Sequence, residues 1–112
     1  MQKGAYRMAR DDYFVIVYRL LKYLYDCLKK SKKPDAGALE ADFFGIAEEY
    51  WQYIIRNILN DGYIEGVARF DGGLVIRPDV SITPKGIQHL EENSIFQKIK
   101  GAAKDIADIM PI

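Results

Sequence analysis

Apolar residues recur at spacings of three and four over residues 12–30, and this period predicts an α-helix. A second apolar row runs beside the first, so that only a narrow polar stripe is left. The first row comprises Phe14, Val17, Tyr18, Leu21, Leu24, Tyr25 and Leu28, and the second comprises Ile16, Leu20, Tyr23 and Cys27. A helix that is apolar on most sides is normally covered on several sides. We therefore expect it to form the spine of the domain or, in part, an oligomer contact.

Two further helices are predicted before residue 61. Pro34 ends the first helix because a proline cannot continue one, and Asp35 can cap a second helix that stops at Gly45. A third helix over residues 47–60 has a buried face comprising Trp51, Ile54, Ile55, Ile58 and Leu59. The second and third helices are joined by a tight turn, so together they predict a helix-turn-helix unit.

The periodicity changes after residue 62 to that of a β-hairpin. Residues 63–70 and 74–77 predict two strands, and Asp71-Gly72-Gly73 predicts a three-residue loop whose glycines can adopt positive φ. Pro78 interrupts the second strand, which residues 80–82 complete. A hairpin directly after a helix-turn-helix unit is the wing of a winged helix.

Two helices are predicted after the hairpin. Thr83 can cap the first of them, with Pro84 at its first helical position, and this helix ends near residues 93–94. Residues 95–109 carry an isoleucine-rich stripe at helical spacing. The predicted fold class is therefore α+β and mostly α, namely a winged helix (a helix-turn-helix plus a β-hairpin wing) with additional C-terminal helices.

The chain is predicted to divide into three parts. Residues 1–11 form a basic N-terminal arm, residues 12–94 the winged-helix domain, and residues 95–112 an amphipathic helix packed on the domain or on a dimer partner. The double apolar row of the first helix and the stripe of the last helix both need a cover, and we expect a homodimer to supply part of it.

Two short phrases resemble those of known winged helices. Residues 58–66, ILNDGYIEG, are similar to the L-x-x-x-G-x-I exit into the wing, and residues 81–86, SITPKG, to the L-T-x-x-G entry to the helix after it. Residues 82–94, ITPKGIQHLEENS, followed by a lysine-rich amphipathic segment, resemble the YjcQ family of small bacterial and prophage-encoded winged-helix proteins. The resemblance covers about residues 37–108. It implies a bacterial or phage origin and a winged-helix fold, and it implies no activity, because the family has no established function.

Length and composition exclude several classes of protein. The chain has 112 residues, of which 49% are hydrophobic, and sixteen cationic side chains balance sixteen acidic ones. This length fits one domain, and the apolar fraction excludes a disordered tail. No apolar run approaches the ~20 residues of a membrane span, and no secretory signal precedes residue 12, so we expect a cytoplasmic protein that does not enter a membrane.

The charge is unevenly distributed along the chain. Residues 1–33 hold nine Lys and Arg against three Asp and Glu, whereas residues 34–66 hold one Arg against seven acids. A protein that binds duplex DNA gains much of its affinity from cations that neutralise phosphates. Glu48 and Glu49, at the start of the third helix, oppose a phosphate there. The segment expected to read DNA is therefore the most acidic part of the chain.

Two functions remain open. A DNA-binding or regulatory protein of bacterial or prophage origin would contact double-stranded DNA through outward residues of the third helix and through wing arginines, with the basic arm as support. These candidates are Gln52, Tyr53, Arg56, Asn57, Asn60, Arg69 and Arg77. The alternative is a protein–protein interaction module that uses the acidic, aromatic surface of the second and third helices. The positions of five cations distinguish the two functions, namely Lys29, Lys30, Lys32, Lys33 and Arg7. If they flank the third helix, DNA binding remains possible, and if they lie behind the domain, a protein partner is favoured.

No enzyme signature is present. His89 is the single histidine and Cys27 the single cysteine, so we expect no metal site, no internal disulfide and no cofactor. Cys27 is predicted to be a small buried apolar residue, and His89 to lie on a helix surface. The acidic pairs lie at helix ends, where solvation or the helix dipole explains them.

Overall fold

The structure, a computed structural model, describes residues 9–92. Its elements, in chain order, are helix α1 (Tyr13–Lys29), a 3₁₀ turn (Ala36–Ala38), α2 (Ala41–Phe44), α3 (Glu48–Asn60), strands β1 (Ile64–Phe70) and β2 (Gly73–Ile82), and α4 (Pro84–Glu92). The chain is α+β and mostly helical, with one antiparallel hairpin after the first three helices, and this order confirms the winged-helix prediction. Most of the predicted arm and the whole of the predicted helix from residue 95 lie outside the described residues.

Helix α1 is the spine of the domain. Its buried side chains are Val15, Ile16, Val17, Tyr18, Leu20, Leu21, Leu24 and Cys27. It packs against α3, α4 and β2, so the nearly apolar circumference is covered on several sides by the chain itself. Of the two apolar surfaces from which a homodimer was predicted, the double row of α1 therefore has a cover without a partner, and the stripe of residues 95–109 lies outside the described residues. Phe14 and Leu28, predicted to lie on the main apolar face, are 51% and 48% exposed, because both lie in the terminal turns of the helix.

The predicted second helix is split in two. The Asp35 carboxylate accepts a hydrogen bond from the Gly37 amide at 3.1 Å, which confirms the cap, but this turn ends at Ala38. Glu40 has extended backbone angles, and α2 begins after it. Gly45 stops α2 in a left-handed conformation with φ of 69°, as predicted, because glycine adopts it without steric cost.

Helix α3 has the predicted bounds to within one residue. Trp51, Ile54, Ile55 and Ile58 are buried, and the Trp51 ring stacks on Phe44 with 5.2 Å between centroids. This contact attaches the helix to α2 and to the core beneath it. Residues on the opposite side of the helix are thereby directed outward.

The hairpin differs from its prediction in two ways. Phe70 pairs with Gly73, so the loop is the two residues Asp71-Gly72 rather than three. Pro78 does not interrupt the second strand, because β2 runs through it from Gly73 to Ile82, with the pairing changing from Val67↔Ile76 to Glu65↔Ser81 across a bulge. A proline has no amide hydrogen for the ladder, and the bulge removes the need for one.

The entry to α4 is as predicted. Thr83 Oγ1 accepts a hydrogen bond from the Gly86 amide at 3.0 Å, and Pro84 is the first helical residue. Leu90 is buried in the same core as α1, whereas Ile87 packs against it from a half-buried position. No described helix has both the length and the hydropathy needed to span a bilayer.

Candidate nucleic-acid interface on helix α3 and the wing

The exposed side of α3 follows from the burial of its other side. Tyr53 is 51% exposed, and Arg56 and Asn60 are exposed with it, three and four residues apart along one row. Trp51, predicted to be core, is 4% exposed. Predicted inward and outward positions therefore agree with the structure at the centre of this helix.

The wing meets the C-terminal half of α3. The Arg69 guanidinium donates a hydrogen bond from Nη2 to Asn60 Oδ1 at 3.0 Å. The Arg56 guanidinium lies 5.7 Å from the centroid of the Tyr53 ring, within the range of a cation–π contact. Four of the predicted DNA contacts, Tyr53, Arg56, Asn60 and Arg69, are thus brought onto one exposed face, which we call the α3–wing face.

The side chain of Gln52 is hydrogen-bonded to the backbone of the wing. Its Oε1 accepts a hydrogen bond from the Leu74 amide at 2.8 Å, and its Nε2 donates to the Leu74 carbonyl at 3.1 Å. Nε2 also lies 3.1 Å from a Glu48 carboxylate oxygen. The side-chain amide replaces a missing strand partner at the outer edge of β2 and joins α3 to the hairpin.

The remaining two candidates also have local partners. Asn57 Nδ2 donates to the Tyr53 carbonyl at 2.7 Å within α3. Arg77, in the β2 bulge, lies 3.4 Å from the carboxylate of Asp79. Arg77 lines a groove with Glu48 and Trp51, and no described contact joins it to Tyr53, Arg56, Asn60 or Arg69 of the α3–wing face.

The N-terminal turn of α1 extends this face with aromatic rings. Tyr13 packs edge-to-face on Tyr53 with centroids 6.0 Å apart, and on Phe14 at 5.0 Å. Burial, followed by the carboxylate of Asp61, raises the pKa of the Tyr13 hydroxyl. Tyr50 of α3 joins the helix to the residues before α1, because its hydroxyl donates a hydrogen bond to the Asp11 carbonyl at 2.6 Å. Helical spacing alone carried no signal for these contacts between α1 and α3.

The single histidine packs beside the residues that follow α3. His89 of α4 stacks on Tyr63 with centroids 4.3 Å apart, so it is half-buried rather than freely solvated. Burial lowers the pKa of His89, and the nearby Asp61 carboxylate partly offsets this. Within residues 9–92, no group of His, Cys, Asp and Glu side chains is arranged to hold a metal ion. Cys27 is a free, buried thiol, in agreement with its predicted apolar role.

An acidic groove of about 490 Å³ lies beside the N-terminal half of α3. Its apolar lining includes Leu39, Trp51 and Val80, while Glu40, Asp42 and Glu48 contribute carboxylates. The groove is lined by the segment from the 3₁₀ turn to the start of α2, by α3 and by β2. These carboxylates belong to residues 34–66, the acidic segment of the sequence.

The lysines at the end of α1 are remote from the α3–wing face. Tyr13 touches Tyr53 on that face, and Lys29 is sixteen residues further along the same helix. At 1.5 Å per residue the separation along the axis is about 24 Å. Lys29, Lys30, Lys32 and Lys33 therefore do not flank the exposed row of α3, so the arrangement expected to leave DNA binding by that helix possible is not found for the lysines; Arg7 lies outside the described residues.

The architecture and the surface features described above are those of a winged-helix protein. A family model described as YjcQ protein matches residues 18–109, which is most of the chain. The chain belongs to the YjcQ family, in agreement with the resemblance found in the sequence. No curated protein and no solved structure matches it.

Proposed function

We propose that this chain is a non-enzymatic regulatory protein of bacterial or prophage origin that binds duplex DNA through the α3–wing face, acting in the cytoplasm as a homodimer. The observation that carries the proposal is the hydrogen bond from Arg69 to Asn60. This contact places the wing cation beside the exposed row of α3, so that helix and wing offer one continuous surface.

The chemistry of this face suits a DNA groove. An arginine can read guanine bidentately and an asparagine can read adenine, while a tyrosine hydroxyl can contact phosphate. Arg56, Asn60 and Tyr53 supply these groups from one helix, and Arg69 supplies a second cation from the wing.

The acidic start of α3 sets the direction of approach. Glu48 and Glu49 lie in its first turn and are exposed, so phosphates are repelled from the end of the helix where they are usually favoured. A duplex on this protein therefore lies toward Arg56 and Asn60 rather than centred on the helix N-terminus.

The experiment is fluorescence anisotropy with a labelled random duplex, at about 20 mM and about 200 mM salt. Binding that is visible at low salt and falls steeply at the higher salt supports the proposal, because each phosphate contact releases counterions. Arg56→Ala should weaken the binding more than Arg77→Ala, a matched variant outside the face. Absence of binding at low salt would contradict DNA binding, and a 12.8 kDa species by sedimentation at tens of micromolar would contradict the homodimer.

A second candidate function is supported by the acidic groove. Its apolar floor and its carboxylates fit a basic, amphipathic segment of a protein partner, and Arg77 in its lining is already paired with Asp79. A partner recovered from host extract by the wild-type chain, and lost with Glu40→Lys/Glu48→Lys, would support this function. Equal recovery by both chains would remove the groove from the interaction.

A further inference from the structure

The turn after α1 concentrates positive charge. Four of residues 29–33, which we call the lysine turn, are lysines, and all five residues are exposed. Lys29 lies 3.7 Å from Asp26 and 4.4 Å from the Tyr25 ring. Among the described residues, Lys30, Lys32 and Lys33 have no carboxylate within ion-pair distance. The lysine turn therefore carries three uncompensated cations.

The backbone of the lysine turn is held in one conformation. Ser31 is left-handed with φ of 55°, its amide donates to the Leu28 carbonyl at 3.2 Å, and the Lys32 amide donates to the Cys27 carbonyl at 2.9 Å. These two bonds are the pair that defines a Schellman motif. Beyond the turn, the Asp35 amide donates to the Tyr23 hydroxyl at 2.7 Å. The lysine stems thus emerge from a fixed base, which lowers the entropic cost of binding.

The nearest carboxylates are already engaged. Asp26 accepts hydrogen bonds from Lys22 at 2.9 and 3.0 Å, and Asp35 caps the 3₁₀ turn through Gly37. Both acids line a pocket together with Lys30, Lys32 and Lys33, so an anion is attracted to the lysine ammonium groups at its rim and repelled by the carboxylates inside it. Leu28 is the large apolar side chain exposed beside the turn, and one such residue is a weak anchor for a lipid surface.

We propose that the lysine turn is a second phosphate-contact surface for duplex DNA, separate from the α3–wing face. The inference rests on the proposed function and says where much of the binding charge comes from. The α3–wing face offers Arg56 and Arg69, which is few for a protein whose affinity depends on neutralised phosphates. The lysine turn adds three cations about 24 Å away along α1.

The test is the salt dependence of duplex binding by the full chain. Replacing Lys30, Lys32 and Lys33 by glutamine should lower the slope of log affinity against log salt by about two to three, since each phosphate contact contributes about 0.9. Affinity at about 50 mM salt should fall by at least about tenfold. The triple Lys→Arg variant keeps the charge and should retain both slope and affinity. Arg77→Gln/Lys85→Gln, which removes cations elsewhere, should change the slope by less per charge.

The outcomes separate this inference from the function on which it rests. Duplex binding with an unchanged slope in the glutamine variant overturns the second surface and leaves the α3–wing face intact. No duplex binding by the wild-type chain overturns both. Lysine-dependent sedimentation with phosphatidylserine vesicles, without duplex binding, assigns the turn to an anionic lipid surface and overturns the inference. Circular dichroism of each variant checks that α1 is retained.

Discussion

The two ends of helix α3 have opposite chemistry. Its first turn carries Glu48 and Glu49 and borders the acidic groove, whereas its last turns carry Arg56 and Asn60 and meet Arg69 of the wing. Both halves contribute to the core, the N-terminal half through Trp51 and the C-terminal half through Ile58, and Gln52 of the N-terminal half also holds the hairpin. The C-terminal half presents its polar side chains to solvent.

This difference indicates that one helix can serve two kinds of ligand. A phosphate backbone is attracted to the C-terminal half and repelled by the N-terminal half, whereas a basic peptide has the reverse preference. The helix dipole does not determine which half of α3 attracts a phosphate, because the exposed carboxylates at the N-terminus compensate the positive end of the dipole. Variants that change binding at the two ends, and stability on the buried and exposed sides of the helix, therefore test the comparison.

The largest expected effect is on stability at the buried side of α3. Trp51→Ala should lower the free energy of unfolding by about 3–5 kcal/mol, because it removes a buried ring that stacks on Phe44. Tyr53→Ala, two residues away and half exposed, should cost less than about 1 kcal/mol. Urea denaturation followed by circular dichroism measures both. Equal losses would show that the two sides of α3 do not differ in this way.

The next effect is on binding at the C-terminal half. Arg56→Ala should weaken binding to a specific duplex by about 1–3 kcal/mol while leaving the unfolding free energy within about 0.5 kcal/mol. Glu49→Gln at the other end should strengthen binding, because it removes a charge that repels phosphate. Anisotropy titrations at one salt concentration compare them. A loss of affinity in Glu49→Gln would reverse the assignment of the two ends.

A smaller effect is expected where α3 holds the wing. Gln52→Ala leaves the amide and carbonyl of Leu74 without their side-chain partner and should cost about 1–2 kcal/mol of stability. Gln88→Ala, which removes only an exposed contact with Glu92, is the matched control and should cost less than about 0.5 kcal/mol. Hydrogen exchange at Leu74 should quicken in the first variant. Unchanged exchange there would mean that Gln52 does not hold the hairpin edge.

The smallest effect is a pH dependence near the end of α3. Burial lowers the pKa of His89 below its ordinary value of 6.5, so the unfolded chain binds the proton more readily than the folded chain. The contribution of His89 to the free energy of unfolding is therefore fully present above pH 6.5, and it is lost as the pH falls through the lower pKa of the folded chain. His89→Gln should flatten this part of the stability profile between about pH 7.5 and 5.5. Parallel profiles for the two chains would argue against a role for His89.

Local signals in the sequence were sufficient for α1, α3 and the entry to α4, but not for the break that separates the 3₁₀ turn from α2. The periodicity predicted the bounds of α1 and α3, and the Asp35 cap, the Gly45 stop and the Thr83–Pro84 entry all occupy their predicted roles. Each of these depends on residues within a few positions of one another, so the information lies in a short stretch of chain. The outward direction of Tyr53 and Arg56 followed in the same way.

The composition of the α3–wing face was decided by tertiary packing. The contacts from Arg69 to Asn60, from Gln52 to Leu74 and from Tyr13 to Tyr53 join residues that no short-range pattern relates. The two-residue loop also depends on register, because Gly73 pairs with Phe70 instead of remaining in the turn. Spacing determines which side of its own helix or strand a residue occupies, and how those elements pack determines which of these sides meet.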